Sequence, residues 1–477
     1  MSASCSRINT NCAWTTVVVL GLIGGCPLLD ETQSANQNSN TSAGGSTGAN
    51  TSPPNGKFLQ VPDPLSGDNP TYKLTAQSVP QPGAAVADVP FGTTQARVTQ
   101  TLGLRHEYSR HDPFNRDQSL VLLMHLPSGE QRVYRTQSRP YDQPANLVRT
   151  VDFEEPRWDP NDANLLWGTQ AFRILTLNVQ TGSTAVVKDF AQDATIAPLL
   201  AANPDVYRIT MKDEGETSSD KRYWAFMLQG SRDDYRPRYI FCWDRQTNQV
   251  LGLYTVPLSQ ADIDWVGMSP LGNWVLIGGS DTNTGNLAGL VMANRQLTTF
   301  HRLDFATGHA DVGLDSQGNE VVVMQNVRTD HIDLIPLSTD TKPILAAGGS
   351  YAGTNRVPLI RLYYVSDSPI ACHSGVHISC NMPGYCVVST YIEPGVAEQN
   401  WLDRSIVLVE LNRAAPRAYY LAKVYGTTGA YWEETHATIT RDGSRVLWAT
   451  NWSQDTGTEH VWDMELTMPA DWSNALP

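Results

Sequence analysis

Residues 435–449 read Thr-His-Ala-Thr-Ile-Thr-Arg-Asp-Gly-Ser-Arg-Val-Leu-Trp-Ala. The pair Asp442-Gly443 separates a short run of β-branched residues from a second run rich in branched and aromatic residues. An Asp-Gly pair between two such runs is typical of a tight turn joining two strands. The stretch therefore predicts a strand–turn–strand unit, and His436 at its start serves as the reference for aligning further copies.

The same pattern recurs six times earlier in the chain, at intervals of roughly 45–65 residues. The seven aligned starting positions are His111, Glu155, Glu214, Trp265, Asp311, His377 and His436. Seven units of this size, each long enough for a four-stranded sheet, predict an all-β fold, a seven-bladed β-propeller. Closure into a ring removes long exposed sheet edges, so the units need not be identical.

The last unit is too short to supply its own fourth strand. We therefore predict that a segment within about residues 70–102 completes it. A two-sheet sandwich followed by another domain is the alternative architecture, but it explains the sevenfold recurrence less well.

Composition agrees with a β-rich, turn-rich body. The 477 residues include 13 Trp, 18 Tyr, 36 Gly and 29 Pro, which favour strands and turns over helices. The net charge of -14 argues against nucleic acid and against anionic membrane surfaces as main partners. We expect a monomer.

The N-terminal region is typical of a targeting segment followed by a linker. Arg7 precedes an apolar run over residues 13–25, and Ile23-Gly24-Gly25-Cys26 resembles a bacterial lipobox. We predict a lipoprotein signal peptide over 1–25, a disordered linker rich in Ser, Asn, Gly and Thr over 26–56, and the propeller over 57–477. Cys26 would carry a lipid anchor in the cell envelope, on the periplasmic side or at the cell surface. An ordinary signal peptide or an uncleaved anchor is the alternative.

Four cysteines lie beyond the signal and the lipobox: Cys242, Cys372, Cys380 and Cys386. An even number in an exported chain allows disulfides, and Cys372 could pair with Cys380 or Cys386. The spacing Cys372-His373, His377, Cys380 does not match a standard closed zinc site.

Two families share short motifs with this chain. Met268-Ser269-Pro270-Leu271-Gly272 resembles the Ser-Pro-Asp-Gly turn of TolB-like (WD40-like) propellers. The segments 155–160, 222–227, 308–311, 377–379 and 436–438 are similar to those of oligogalacturonate lyase-like propellers. The second resemblance implies a divalent metal, usually manganese, held by several histidines and a glutamine, and β-elimination on short uronate chains. No glutamine of this chain matches that ligand, and Trp265 stands where a base of the family is expected.

The seven aligned starting positions predict where a site would form, because they should line one mouth of the central channel. Six of the seven are ionisable, in a chain that is only 17% charged. Imidazole and carboxylate side chains from neighbouring blades suit Mn, Fe or Zn. The candidate metal ligands, with Mn or Zn as the metal, are His309, Asp311, His377 and His436. A water-filled channel with mutually hydrating polar walls is the alternative.

Further roles follow if the chain is a lyase. The candidates for the catalytic base are His111 and His436, with Glu214 behind them. The candidate substrate-binding residues are Arg105, Arg110, Arg157, Glu155 and Trp265. Each arginine has a surface or structural role as its alternative, and Trp265 could equally pack between blades.

Two functions remain open at this point. The first is a membrane-tethered propeller with a metal site, acting as a lyase on acidic oligosaccharides. The second is a non-catalytic, TolB-like propeller that binds an envelope protein or a cell-surface ligand.

Overall fold

The computed structural model describes residues 58–476 except 89, 232–233, 327, 347, 363–373, 393–397, 429 and 455–459. The predicted signal peptide, the lipobox cysteine and the linker lie outside the described residues, as do Cys372 and His373.

The described chain is almost entirely β-structure, and its strands form the seven blades of a β-propeller. Blades 1 and 7 are joined into one nine-stranded sheet by a parallel bridge between Leu104 and Trp462. Three short strands precede the first blade: β1 (Leu59–Gln60), β2 (Ala85–Ala87) and β3 (Thr94–Arg97). Blade 1 contains β4 (Leu104–Arg105), β5 (Leu120–His125), β6 (Glu130–Arg135) and β7 (Leu147–Val151). Blade 2 contains β8 (Glu154–Trp158), β9 (Leu165–Gln170), β10 (Arg173–Asn178) and β11 (Thr184–Asp189). Blade 3 contains β12 (Arg208–Thr210), β13 (Tyr223–Gln229), β14 (Pro237–Asp244) and β15 (Gln249–Thr255).

The remaining blades follow the same order along the chain. Blade 4 contains β16 (Ile263–Met268), β17 (Trp274–Gly279), β18 (Leu290–Asn294) and β19 (Phe300–Asp304). Blade 5 contains β20 (Ala310–Leu314), β21 (Glu320–Asn326), β22 (His331–Pro336) and β23 (Val357–Arg361). Blade 6 contains β24 (Ser374–Ser379), β25 (Tyr385–Ile392), β26 (Ser405–Glu410) and β27 (Ala418–Lys423). Blade 7 contains β28 (Thr438–Ile439), β29 (Arg445–Thr450) and β30 (Trp462–Thr467).

Helical structure in the described part is limited to connections. The α-helix α1 (Ala197–Ala202) joins blades 2 and 3. Short 3-10 turns occupy Pro144–Asn146, Phe190–Gln192, Leu258–Gln260, Gly285–Leu287, Tyr431–Glu433 and Trp472–Ala475. Among the described residues, no helix is long and apolar enough to span a membrane.

The ring is closed by the segment that precedes blade 1. Strand β3 pairs antiparallel with β30, with Gln95 opposite Leu466, and supplies the fourth strand of blade 7. This confirms the prediction that a segment within residues 70–102 completes the last unit. Strand β1 also pairs with β27, with Leu59 opposite Tyr420, so the N-terminal part of the described chain is joined to blades 6 and 7.

The core lies between adjacent blades. Strand β26 is buried along its whole length, and its sequence Ser-Ile-Val-Leu-Val-Glu shows why: an apolar run without alternation packs on both faces. One apolar cluster joins Val321 and Val323 of blade 5 to Val376 and Ile378 of blade 6. Such contacts fix each inner strand against its neighbours and hold the residues at the strand starts in place.

Two blades differ from the predicted alignment at the channel. In blade 1 the inner strand is interrupted: β4 is followed by residues 106–113 in irregular conformation, and Phe114 then bridges Val121. In blade 3 the inner strand β12 ends before Glu214, because Lys212 and Asp213 both adopt a positive φ of 62°. The prediction that inner strands begin at His111 and Glu214 was therefore wrong, although both residues lie at the blade interior.

Candidate functional site

A histidine cluster forms where the inner strands of blades 5, 6 and 7 begin. His377 lies on β24, and His436 precedes β28. Glu434 follows the 3-10 turn Tyr431–Glu433, and His309 precedes β20. We use the name histidine cluster for His309, His377, Glu434 and His436.

Three of these residues present one ligand atom each within a small volume. The ligand atoms of His377, Glu434 and His436 lie within 4.8 Å of one another. His377 Nε2 lies 2.6 Å from Glu434 Oε2, and His436 Nε2 lies 3.6 Å from the same oxygen. The His309 ring centroid is 4.6 Å from that of His377, so His309 borders this group.

Two ring nitrogens of the cluster are buried without a partner. Neither His377 Nδ1 nor His436 Nε2 has a hydrogen-bond partner among the described residues. Buried polar atoms are nearly always satisfied by protein, water or a bound ligand. These nitrogens therefore point to a water molecule or a cation as the missing partner.

Neighbouring residues fix the position of His436. Arg105 Nη2 donates to His436 Nδ1 at 2.6 Å, and Arg105 Nη1 donates to the carbonyl oxygens of Trp432 and Glu434 at 2.6 and 3.2 Å. A guanidinium only donates, so the neutral His436 ring carries its proton on Nε2. To ligate a cation at Nε2 as a neutral imidazole, His436 would have to carry its proton on Nδ1, which requires the Arg105 bond to Nδ1 to be given up.

His106 supports the backbone beneath the cluster. His106 Nε2 donates to the carbonyl oxygen of His436 at 2.6 Å, and His106 Nδ1 lies 2.9 Å from Asp463 Oδ1. His436 has a φ of 44°, a left-handed conformation that is unusual for a residue other than glycine. The contacts with His106 and Arg105 offset the cost of that conformation, which turns the imidazole toward His377.

Burial determines the protonation of the cluster. It lowers the pKa of His377 and of His436 well below the usual range, and Arg105 lowers both further. Burial, together with His377, lowers the pKa of His309 to about 3. Burial raises the pKa of Glu434 to about 7. The imidazoles are thus neutral at neutral pH, which is the form that binds a metal.

Aromatic side chains surround the cluster. The ring centroids of Tyr108 and Tyr431 lie 5.1 and 5.0 Å from that of His436, and Tyr391 stacks on His377 at 5.6 Å. Tyr108 is buried, whereas Tyr431 is 45% exposed. The cluster therefore has an apolar wall on the inside and an accessible aromatic ring on the outside.

A second group of charged residues, which we call the arginine cluster, connects blades 1, 2 and 3. It consists of Glu107, His111, Arg157 and Glu216. His111 Nδ1 lies 2.8 Å from Glu216 Oε1, and His111 Nε2 lies 2.6 Å from the carbonyl oxygen of Asp213. Arg157 donates to Glu107 Oε2 at 3.1 Å, and its Nε lies 3.1 Å from Glu216 Oε1.

The electrostatics of the arginine cluster follow from burial and pairing. Burial, helped by Arg157, lowers the pKa of His111 to about 4. The nearby Lys221, Arg157 and His111 outweigh burial at Glu216 and lower the pKa of its carboxyl well below the usual range. His111 is therefore neutral and held from both ring nitrogens within the chain.

Glu155 supports the unusual backbone of blade 3. Its Oε1 accepts from Thr210 Oγ1 at 2.9 Å, from Met211 N at 2.8 Å and from Asp213 N at 3.0 Å. These bonds hold the residues that have positive φ. Glu155 therefore supports the backbone of blade 3. Its predicted contact with substrate stays a prediction.

Arg110 connects blade 1 to blades 3 and 4. Its Nη2 lies 2.9 Å from Glu214 Oε2, and its guanidinium lies 4.6 Å above the Trp265 ring. Trp265 is buried. Burial raises the pKa of Glu214 to about 7 despite Arg110, while burial and, to a lesser degree, Glu214 raise the pKa of Tyr108 and of Tyr431. Glu214 thus acts on the same tyrosines that flank the histidine cluster.

Asp311 occupies a different position from the histidines with which it was grouped. Its Oδ2 accepts from Cys380 N at 2.6 Å, and its Oδ1 accepts from Val312 N at 2.7 Å. It connects blade 5 to blade 6 and does not belong to the group of close ligand atoms. Of the four predicted metal ligands, the structure brings together His377 and His436, with His309 beside them.

Two residues of the site were missed from the sequence. Glu434 supplies an oxygen ligand atom to the group, and His106 supports His436 from blade 1. Glu434 lies two residues before His436, a spacing that could have identified it. His106 lies in an irregular segment, and the repeat pattern carries no signal for it.

The donor set fits a divalent metal. Two imidazoles and one carboxylate suit Mn, Fe or Zn, whereas Ca would need more oxygen ligands. The ligand atoms of His377, Glu434 and His436, which lie within 4.8 Å of one another, could supply this donor set.

Comparison with known proteins supports the fold at low sequence identity. No family model matches the sequence, and no curated protein matches it. An oligogalacturonate lyase solved in complex with manganese superposes with a TM-score of 0.51 at 13% identity, covering 83% of this chain and 98% of that chain. The oligogalacturonate lyase of Vibrio parahaemolyticus superposes with a TM-score of 0.52 at 10% identity, covering 82% of this chain and 97% of that one. These similarities show a shared propeller architecture.

Proposed function

We propose that this propeller is a divalent-metal-dependent lyase that cleaves short acidic oligosaccharides built from uronate units. The observation that carries the proposal is the histidine cluster, with two unpartnered buried nitrogens beside a carboxylate. The shared architecture with two oligogalacturonate lyases, one of them in complex with manganese, supports the same choice.

His377, His436 and Glu434 would hold the metal, with His309 as a further imidazole beside them. When bound, the cation would neutralise a uronate carboxylate and stabilise the negative charge that develops as the α-proton leaves. Arg105 and His106 keep His436 in place for this role.

Glu214 is the residue that we propose as the base. A pKa of about 7 makes its carboxylate both available and basic enough at neutral pH. Its side chain is partly exposed, whereas His111 is buried and held from both sides in the arginine cluster. Arg110 Nη2, 2.9 Å from Glu214 Oε2, orients the Glu214 carboxylate.

Tyr431 and Trp432 are the aromatic residues that we propose as the sugar-stacking surface. Tyr431 is exposed next to His436, and Trp432 lies 6.0 Å from the same ring between centroids. Trp265 is buried beneath Arg110, which leaves it a role in supporting that arginine.

The test is an elimination assay on the full chain with short uronate oligomers. The unsaturated product absorbs in the ultraviolet, and we expect turnover that disappears with a chelator and returns with Mn or Zn. We expect Glu214→Gln to lose turnover but retain the metal. Turnover that persists after complete metal removal would contradict the proposal.

A second candidate is a non-catalytic propeller that binds an envelope protein. It is favoured by the internal pairing of Arg110 and Arg157 with Glu214, Glu107 and Glu216, which leaves these arginines engaged within the chain. Absence of turnover on all uronate oligomers, together with a stoichiometric protein partner, would support this candidate.

We also propose that the chain is anchored in the cell envelope through a lipid on Cys26. The support is the small-residue motif Ile23-Gly24-Gly25-Cys26 after an apolar run. The test is membrane fractionation with Cys26→Ser as the comparison. Release of the variant into the soluble fraction is expected, and equal membrane retention of both forms would contradict the anchor.

A further inference from the structure

Two cysteines face each other at the end of the hairpin formed by β24 and β25. The register pairs Ile378 with Val388 and Ser379 with Val387. Continuing this register by one residue places Cys380 opposite Cys386. The two residues thus occupy directly opposed positions at the start of the turn.

Their side chains lie on the same side of the sheet. Side chains alternate along a strand, so Ile378, Cys380 and Cys386 share a face. All three belong to the same apolar cluster between blades 5 and 6. Cys380 is 4% exposed and Cys386 is fully buried.

The register at this pair predicts the backbone spacing that a disulfide requires. Cys380 N donates to Asp311 Oδ2 of blade 5, so it is not used in a ladder bond to Cys386. Opposed residues without ladder bonds have Cα atoms about 4.5 Å apart. Disulfides span Cα separations of about 4.4–6.8 Å.

We propose that Cys380 and Cys386 are a disulfide-forming pair, which closes the hairpin at the interface of blades 5 and 6 when the chain folds under oxidising conditions. In the structure both are thiols. Each cysteine gives up one proton and the pair gives up two electrons. The electrons pass to a second disulfide, of a small molecule or of an oxidoreductase, which becomes two thiols.

The bond must form before the hairpin is buried. Burial, together with the neighbouring Cys386, raises the pKa of Cys380 well above its usual value. Little reactive thiolate is therefore present in the folded protein. Protein folded in reducing conditions should stay reduced for long periods, whereas protein folded with an oxidant should carry the bond.

A disulfide at Cys380 would act on strand β24, which carries His377 three residues before Cys380. A Cβ added at Gly313 of blade 5 would lie 2.7 Å from Cys380 Cβ, so blade 5 packs closely against this cysteine. A disulfide at this point would fix the end of β24 between the two blades.

The experiment is refolding of the full chain from denaturant in glutathione disulfide with glutathione, compared with refolding in reductant alone. Free thiols are alkylated after renewed unfolding, and peptides are mapped by mass spectrometry. We expect a cross-linked Cys380–Cys386 peptide, lighter by two hydrogen atoms than the reduced pair, only in the oxidant sample. Cys242, buried in another blade, should be alkylated in both samples.

Two variants complete the test. In Cys380→Ser the remaining Cys386 should become alkylated, and in Cys386→Ser the same should hold for Cys380. The oxidant should raise the thermal midpoint of the parent and of neither variant. Alkylation of both cysteines in the oxidant-refolded parent, or a link from either one to Cys372, would overturn the proposal.

Discussion

The histidine cluster and the arginine cluster lie in the same propeller and are both rich in buried ionisable groups, yet they differ in how those groups are satisfied. In the arginine cluster both ring nitrogens of His111 have partners in the chain. In the histidine cluster His377 Nδ1 and His436 Nε2 have none among the described residues. The arginine cluster therefore joins blades through paired groups, whereas the histidine cluster leaves ring nitrogens available to a ligand.

This difference teaches that buried charge alone does not identify a functional site. Glu107, Glu214, Asp311 and Glu434 all have a raised pKa because of burial. Only Glu434, among these, lies in the group whose ligand atoms converge within 4.8 Å. Convergence of ligand atoms, together with unpartnered imidazole nitrogens, separates the two clusters, and the following changes test that separation.

The largest effect is expected from Arg157→Met in the arginine cluster. Removal of the guanidinium leaves Glu107 and Glu216 without their buried partner, which should lower the free energy of unfolding by about 3–5 kcal/mol. Denaturant unfolding measures the change. Arg173→Met, which removes an exposed arginine paired with Asp189, is the matched control and should cost no more than about 1 kcal/mol. Equal losses of unfolding free energy in the two variants would contradict a structural role for the arginine cluster.

In the histidine cluster the main effect should be on metal affinity. His377→Ala removes one imidazole from the converging group and should weaken Mn or Zn binding by at least about tenfold. Titration calorimetry on the full chain measures the affinity. His125→Ala removes a histidine on β5 that bonds Ser128, and it should bind as the parent does. Unchanged affinity in His377→Ala would place the metal elsewhere.

The pH dependence of stability should reveal Glu214. Its folded pKa of about 7 lies above the ordinary value of 4.5, so between these limits the folded state binds more protons than the unfolded state. Stability contributed by this group is present below pH 4.5 and is lost as the pH rises toward 7, by up to about 1.4 kcal/mol per pH unit.

Glu214→Gln removes this titration. Unfolding measured from pH 4.5 to 7 should therefore show a less negative, or more positive, slope of stability against pH in the variant than in the parent. Identical slopes would show that the Glu214 pKa is ordinary. The comparison between the two proteins cancels the opposite contribution of the buried histidines.

The smallest effect on stability is expected from Glu434→Gln in metal-free protein at pH 6. Because the Glu434 pKa is about 7, the carboxyl is largely protonated at this pH, and the amide has nearly the same shape and charge. The free energy of unfolding should change by about 1 kcal/mol or less. Metal affinity should nevertheless fall, because the amide lacks the carboxylate charge. A loss of several kcal/mol would mean that Glu434 belongs with structural residues such as Arg157.

Much of the fold could be predicted from the sequence because the turns repeat. Pairs such as Asp442-Gly443, followed by apolar strands, mark the blades, and the short last unit requires a closing strand from elsewhere. The backbone at His111 and Glu214 could not be predicted, since positive φ at Lys212 and Asp213 and the irregular segment 106–113 break the repeat.

The site could be predicted only where it follows the repeat. His377 lies on inner strand β24 and His436 lies two residues before inner strand β28, and both were identified from their aligned positions. Glu434 and His106 lie outside strands. The contact between His106 and His436 joins segments more than 300 residues apart in the chain. Asp311 follows the repeat, but its carboxylate accepts from the backbone of Cys380, a contact that alignment of strands does not contain.

The most direct test of the histidine cluster as a metal centre is elemental analysis of the full chain after reconstitution with Mn or Zn and removal of excess metal. The parent is compared with the double variant His377→Ala/His436→Ala and with His125→Ala. We predict about one metal ion per chain in the parent and in His125→Ala, and none in the double variant. No bound metal in the parent, or equal metal in all three proteins, would contradict the assignment.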